Sequence, residues 1–567
     1  MRVAEALAAT LVDRGVSAVF ALMSDEVSHL IVELERLGVA VYGTRHEAAA
    51  IGMADGYARI SGSVGVAIVG RGPGLSNALT AITCAARSDS SVVVLAGDGA
   101  AGVLDPEAAV AARRQPKYVD QVGMLRAVGV EAVTLASPDA AVADIGAVLD
   151  AASAGRTVVA NLPADLLRAP WHTPLAGDQV RPSVGFTARP DVPPPDPRQV
   201  HELADLLESS FAQRPLLLAG RGAVRAGAVP ALLAVGERIG AVMGSTLLAR
   251  SIFAGQAFDI GVVGSFASPV AAELVTGADA VLAFGTSLNP YTTLGGDLLG
   301  RATVVQVDRD PAAFGRFRAV DLAIHGDVAA VASALDAELS TRGHARAGYR
   351  TAAVGAQLAA AAPPPFTDMS EADRIDPRIA MLAFDAALPP DRILVIDPGH
   401  HLSWSGALLS VRDPESFIFA GASGAIGSAP GIALGAAVAA PDRVTVLEVG
   451  DGGLVMTLGD LSTAVQYGLR MAVLVTNDAA FGTEVHLLRA AGLPDTAALY
   501  PDVDIAAVAR ALGADVVTVR DEPGLAAAAG RLREIHGPVV VDCKVTRQAR
   551  GDWVDFRARD SVPAAGR

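Results

Sequence analysis

Two proline-rich segments constrain this chain more than anything else in it. RPDVPPPDPRQ (189–199) and AAAPPPFTDMSEA (360–372) each carry three consecutive prolines. Such runs can continue neither a helix nor a central strand, so the chain divides into three stretches. Within each stretch one pattern recurs: a short β-branched run, then an Ala/Leu-rich helical segment. The first holds SAVFAL, VAVYGT, VGVAIVG, SVVVLAG, EAVTLA and TVVANLP. The second holds RPLLLAG, GAVMGS, IGVVGS, AVLAFG, TVVQVD and LAIHGD, and the third ILVIDPG, SFIFAG, VTVLEVG, MAVLVTND, ADVVTV and PVVVDCKV. Strands alternating with helices mean parallel sheets covered on both faces. The expected fold is α/β, with three doubly wound parallel-sheet domains over residues 1–175, 190–345 and 373–550. Residues 551–567 are left as a tail, and the arginine-rich end from 547 reads as a frayed terminus or a lid.

A chain of 567 residues is too long for one hydrophobic core, and with 51% hydrophobic residues burial is not limiting. The net charge of −16 argues against nucleic acid and anionic membranes as partners. Two cysteines far apart, Cys84 and Cys543, suit a reducing, cytoplasmic setting. The start, MRVAEALAATLVDRG, is an amphipathic helix ending at Gly15 rather than a signal peptide. The uncharged stretch 416–441 is rich in Gly, Ala and Ser and contains Pro430, so it reads as a tightly packed strand–turn–helix and not a membrane span.

Ligands of open parallel sheets bind at the carboxyl ends of strands. There the third stretch carries a carboxylate between glycines, Gly450-Asp451-Gly452, followed after 24 residues by Asn477-Asp478. The intervening segment reads as one helix and one strand. Two adjacent parallel strands, about 4.8 Å apart, would then each end in an oxygen ligand, Asp451 and Asp478. A hard cation such as Mg²⁺ takes oxygen ligands and completes its shell with phosphate and water. Gly452 and Gly453 would let backbone N–H groups approach that phosphate.

This spacing resembles the thiamin-diphosphate motif of the acetolactate synthase and pyruvate decarboxylase superfamily. TRHEAAAIGMADGYARISGSVGVAIVGRGPGLSNALTAI (44–82) and GASGAIGSAPGIALGAAVAAPDRVTVLEVGDGG (421–453) are similar to its two signatures, so the resemblance spans nearly the whole chain and is closest to acetolactate synthase large subunits. It implies thiamin diphosphate and Mg²⁺ as cofactors, a pyrimidine-binding first domain and a diphosphate-binding third domain. It also implies a homodimer or homotetramer with active sites shared between subunits, since the two domains of one site come from different chains. By the same resemblance Glu47 is the catalytic glutamate that favours the imino tautomer and hence the thiazolium ylid. Gly424 offers its carbonyl to the 4′-amino group, and Ile426 wedges the cofactor into its bent shape. Gly450, Gly452 and Gly453 border the diphosphate; Asp451, Asp478 and the Ala480 carbonyl ligate the metal. His400 and His401 fall in a diphosphate-contacting segment. Glu484, six residues after Asp478, matches an acidic active-site residue of pyruvate decarboxylases; as a helix-start carboxylate it would need no such role. Asp25 falls near another such residue.

The departures lie at the substrate. Asp478 stands where Asn is usual, Asp98 where acetolactate synthases carry glutamine, and FALMSDEV (20–27) replaces a Gly-Pro-Gly turn. GVVGSF (261–266) lacks their Met-His-Gly pattern, and the histidine pair of the decarboxylases is missing, His29 and His46 being the nearest. In the central domain Gly220 and Gly222 follow a strand but Arg225 takes the third glycine position, while TVVQVDRDPAAFG (303–315), with Asp308 and Asp310, is similar to the ribose-facing loop of relatives that hold FAD or ADP there; in others the domain is scaffold. The expected activity is decarboxylation or carboligation of small 2-oxo acids, with a 2-hydroxyacyl-CoA lyase or a non-catalytic relative as alternatives.

Overall fold

The computed structural model describes residues 1–172, 181–187, 191–209, 212–362, 365–551, 553 and 554. The rest of the tail, 555–567, lies outside the described residues. Every one of the β-branched runs quoted above forms a strand, and they gather into three six-stranded sheets, all of whose strand pairs are parallel. The first sheet comprises β1 (Ala18–Ala21), β2 (Ala40–Gly43), β3 (Gly65–Val69), β4 (Val92–Asp98), β5 (Glu131–Thr134) and β6 (Thr157–Pro163). The second comprises β7 (Pro215–Ala219), β8 (Val242–Ser245), β9 (Asp259–Val262), β10 (Ala280–Phe284), β11 (Thr303–Asp308) and β12 (Leu322–His325). The third comprises β13 (Arg392–Ile396), β14 (Phe417–Phe419), β15 (Val444–Gly450), β16 (Met471–Asn477), β17 (Asp515–Val519) and β18 (Val539–Lys544).

Strand order positions the site. The first sheet runs β2-β1-β3-β4-β6-β5 and the third β14-β13-β15-β16-β18-β17, so the two share one topology. The central sheet runs β12-β11-β10-β7-β8-β9, the order of dinucleotide-binding folds. In the third sheet the chain reverses direction between β13 and β15. That switch opens a crevice at the strands' carboxyl ends, and Asp451 follows β15 there.

The outer domains are joined by two equivalent helices, Glu47–Ser61 after β2 and Ala429–Ala439 after β14. Their main chains touch. A Cβ on Gly56 would stand 1.9 Å from the Ile432 carbonyl oxygen, and one on Gly435 would stand 1.9 Å from that of Met53. Only glycine permits so close an approach. Ile51, Met53, Ile432 and Leu434 then join one apolar core spanning both domains. The uncharged 416–441 stretch is the strand–turn–helix its composition implied, and no helix among the described residues is long and apolar enough to cross a membrane.

One expectation fails locally. The segment between Asp451 and β16 holds two helices, Asp451–Val455 and Asp460–Gln466, rather than one. Gly459 weakens a continuous helix, and Asp460 suits the first turn of a new one.

Candidate functional site

β15 and β16 are hydrogen-bonded neighbours with Gly450 opposite Thr476, so Asp451 and Asp478 emerge side by side. Asp478 is presented by a turn fixed from below. The buried Asn477 donates to Asp542 Oδ1 at 2.9 Å and accepts from the Ala479 N–H at 3.2 Å, and Ala479 takes a positive φ of 54°. The Ala480 N–H donates to Asp478 Oδ1 at 3.1 Å, and its carbonyl accepts from the Tyr500 hydroxyl at 3.1 Å. Burial pushes the Asp451 carboxyl up to about 6. Burial, and then repulsion from Asp451, pushes Asp478 up to about 7. Two buried carboxylates and a carbonyl with no lysine or arginine hydrogen-bonded to them among the described residues are a donor set that a hard cation fits.

Beside them the crevice is floored by glycines. Gly424 has a φ of 75°, a conformation that favours glycine, and its turn is tied down by Asp397. That carboxylate, at the end of β13, accepts from the Gly427 N–H at 2.6 Å and the Ala429 N–H at 2.9 Å. Burial raises it to about 6. His401 donates from Nδ1 to Glu448 Oε2 at 2.7 Å. Burial presses the imidazole toward its neutral form, but Glu448, with smaller help from Asp397 and Asp478, outweighs that, and the net shift is upward. His400 behaves oppositely: burial and the neighbouring His486, ring centroids 4.4 Å apart, push it down to about 3. It is therefore neutral, and its Nε2 accepts from the Gly551 N–H at 3.2 Å.

One cavity of about 1290 Å³ gathers these residues. His400, His401, Gly424, Ile426, Gly450, Asp451, Gly452, Gly453, Asp478, Ala480 and Glu484 all line it. Glu484 stands in the first turn of the Gly482–Ala490 helix. Glu47 does not line the cavity. It begins the Glu47–Ser61 helix, is half-buried, and accepts from Asn77 Nδ2 at 3.1 Å beside Gly74. Asp98, where burial raises the carboxyl, and the exposed Asp25 also belong to the first domain, away from the cavity. The cavity continues into the central domain past Arg221, Gly222, Asp308 and Arg309, with Phe266 on its wall. Arg225, the residue that breaks the central glycine pattern, also lines the cavity and joins domains, pairing with Asp89 at 2.7 Å.

Sequence reasoning passed over Asp397, Glu448 and Tyr500. Asp397 was visible by the logic that found Asp451, since ILVID is a buried strand ending in a carboxylate. Glu448 and Tyr500 carry no such signal, because their partners His401 and Ala480 lie on other elements.

The sequence comparisons match this geometry. The chain matches profiles for the thiamine pyrophosphate enzyme N-terminal binding domain over residues 1–124, central domain over 200–335 and C-terminal binding domain over 397–543. It is 30% identical over 444 residues to an acetolactate synthase large subunit of Parasynechococcus marenigrum, covering 76% of this chain and 68% of that one. It is 28% identical to a sulfoacetaldehyde acetyltransferase of Rhodobacter capsulatus, covering 82% and 79% respectively. A protein of Pseudomonas aeruginosa named probable 2-ketoarginine decarboxylase is 29% identical, over 91% and 89%. With three domain profiles in their expected order and these relatives along most of its length, the chain belongs to the thiamine pyrophosphate enzyme family.

Proposed function

We propose that this protein decarboxylates a small 2-oxo acid and passes the remaining fragment to a proton or a second carbonyl, with thiamin diphosphate and Mg²⁺ held in the C-terminal crevice. The observation that carries this reading is the convergence of the whole diphosphate-side residue set on one cavity while Glu47 stands outside it. Bound thiamin diphosphate supplies a carbon nucleophile and an electron sink for a departing carboxylate. The chain supplies the rest. Asp451, Asp478 and the Ala480 carbonyl would hold the cation, and the Gly450–Gly453 segment would offer the diphosphate its main chain. The Gly424 carbonyl would accept a hydrogen bond from the cofactor's amino group, Ile426 would support the cofactor by apolar contact, and the neutral His400 would offer a hydrogen bond without adding charge. Glu47 exchanges a proton at the pyrimidine ring, and Glu484 handles the proton at the reacting carbon.

Glu47 comes from a second copy of the chain in this reading. Both domains carry exposed apolar side chains: Met23, Leu104 and Tyr118 on the first, Met456 and Phe481 on the third. A head-to-tail pair of contacts related by a two-fold axis would cover both and complete two sites. The relatives' names cover acetolactate synthase, acetyltransferase and decarboxylase, which supports the reaction class rather than one substrate.

A specific observation favours a second reading. The cavity runs unbroken from Asp451 to Arg221 and Arg309 of the central domain, and the C-terminal Trp553 walls it. Such a channel suits a substrate whose reacting carbonyl is tethered to a nucleotide, as in a 2-hydroxyacyl-CoA, and the same groove would suit FAD or ADP. The deciding experiment incubates protein saturated with thiamin diphosphate and Mg²⁺ with a panel of 2-oxo acids, with and without acceptor aldehydes, and with a 2-hydroxyacyl-CoA. CO₂ release from a 2-oxo acid supports the first reading. Cleavage of the acyl-CoA with no 2-oxo acid consumed replaces it with the second. Binding without either reaction removes both.

A further inference from the structure

Glu448 is a charged residue in the middle of a buried strand. It lies on β15, is 0% exposed, and stands three residues before Asp451. Burying a carboxylate costs several kcal/mol unless it is paired and hydrogen-bonded, and an apolar residue would serve the strand better. Both its oxygens are engaged: Oε2 accepts from His401 Nδ1–H at 2.7 Å, and Oε1 accepts from the Thr476 hydroxyl at 2.8 Å. With Nδ1 turned to Glu448, Nε2 is the end left for the cavity that His401 lines. It lies against two other lining residues. A Cβ on Gly450 would stand 3.5 Å from Nε2, and one on Gly399 only 2.6 Å from it.

The charge balance gives this pair a purpose. The crevice collects Asp397, Asp451 and Asp478, and a diphosphate would add more negative charge. The only basic side chains that the C-terminal domain contributes to the lining, among the described residues, are His400 and His401. His400 is neutral. The arginines on the wall, Arg221, Arg225, Arg309 and Arg316, belong to the central domain, and Arg547, whose field reaches Asp478, does not line the cavity. Among the described residues of that domain's lining, His401 beside Gly450 is therefore the side chain left to carry a local positive charge.

We propose that Glu448 is a positioning residue that holds His401 as an imidazolium with Nε2–H directed at the diphosphate, so that the protein itself offsets the extra negative charge brought by Asp478. This rests on the reading of the cavity as a thiamin-diphosphate site. The hydrogen-bonded geometry carries it, and the upward shift of His401 agrees with it.

The test uses the full chain. In ligand-free protein labelled with ¹⁵N-histidine, the His401 ring nitrogens are expected to show the imidazolium pattern, and Glu448→Gln to convert it to a neutral ring. Calorimetry with Mg²⁺ present is expected to show thiamin diphosphate binding weakened by about 10–100-fold in Glu448→Gln, the scale of one lost charge-assisted hydrogen bond. Thiamin monophosphate, with less charge to neutralise, is expected to lose clearly less. A cradle that had merely collapsed would weaken both ligands by one factor, and that result overturns the proposal. So does an imidazolium that survives in Glu448→Gln. If that variant does not fold, His401→Gln, which keeps a donor for Glu448 but no charge, is expected to show the same unequal losses; equal losses there overturn the proposal too. Wild-type protein that binds no thiamin diphosphate removes the site reading and this proposal with it, whereas the ¹⁵N pattern tests the Glu448–His401 pair by itself.

Discussion

A carboxylate as buried as Asp451, at 4% exposure, belongs with a cation. Burial raises its carboxyl to about 6, and burial together with repulsion from Asp451 raises that of its neighbour Asp478 to about 7. Asp451→Ala is therefore expected to abolish thiamin-diphosphate binding in the presence of Mg²⁺, read by calorimetry. Asp478→Asn keeps an oxygen ligand and is expected to retain binding; complete loss there would mean that the alignment of Asn477-Asp478 with the family's usual Asn-Asn ending is wrong. Asp460 is a different kind of buried acid. Among the described residues only Arg45 faces it as a charge, and burial pushes its carboxyl from 3.8 up to about 7. The folded state then binds the proton more tightly than the unfolded chain does. The stability this gives is present below about pH 4 and is lost as pH rises through about 7. Asp460→Asn is expected to be close to neutral near pH 4 and to stabilise the protein by about 2–4 kcal/mol at pH 8, measured by denaturant unfolding at both. An unchanged difference between the two pH values would show that Asp460 is ionised in the fold.

Among the elements, the helices Glu47–Ser61 and Ala429–Ala439 do the most to place the site, because each begins or is preceded by residues proposed to meet the cofactor. Gly52 and Gly56 on one helix, and Gly431 and Gly435 on the other, face the opposing main chain. A methyl at Gly435 would stand 1.9 Å from a carbonyl oxygen, so the helices must part. Gly435→Ala is expected to destabilise the protein by about 1–3 kcal/mol or more, the range for overpacking a tight contact. Thermal unfolding and limited proteolysis between the outer domains would measure it. Neutral behaviour would show that the two helices are not held at this separation. Glycine at a spacing of four was plain in the sequence, but which surface those glycines met was not. The Asp451–Val455 and Asp460–Gln466 helices show the reverse limit, since a break of a few residues at Gly459 is too small to alter the apolar periodicity around it.

For the whole molecule, the repeated sheet topology of the outer domains has a consequence. Glu47 and Asp451, proposed to meet one cofactor, do not share a cavity within one chain. If the site is completed by a second copy, Glu47→Gln and Asp451→Ala proteins are each inactive alone but recover activity when co-expressed. Random pairing leaves one intact site in each mixed dimer, or about a quarter of wild-type activity. No recovery, in mixed dimers verified by affinity tags, would place the complete site within one chain.

The sequence by itself determined what is local. The β-branched runs announced every strand, and the triple prolines separated the three sheets. The spacing of Asp451 and Asp478 put two carboxylates at the ends of neighbouring strands, as the register of β15 and β16 has it. These signals survive in one dimension because backbone periodicity and strand–helix–strand spacing are properties of adjacent residues. Tertiary structure alone decided the rest. That β13 and not β14 lies beside β15 sets Asp397 under the Gly424 turn and His401 against Glu448. Those partners are 30 and 47 residues apart in the chain. Their meeting depends on strand order, which is fixed by the packing of the whole sheet and written in no single segment.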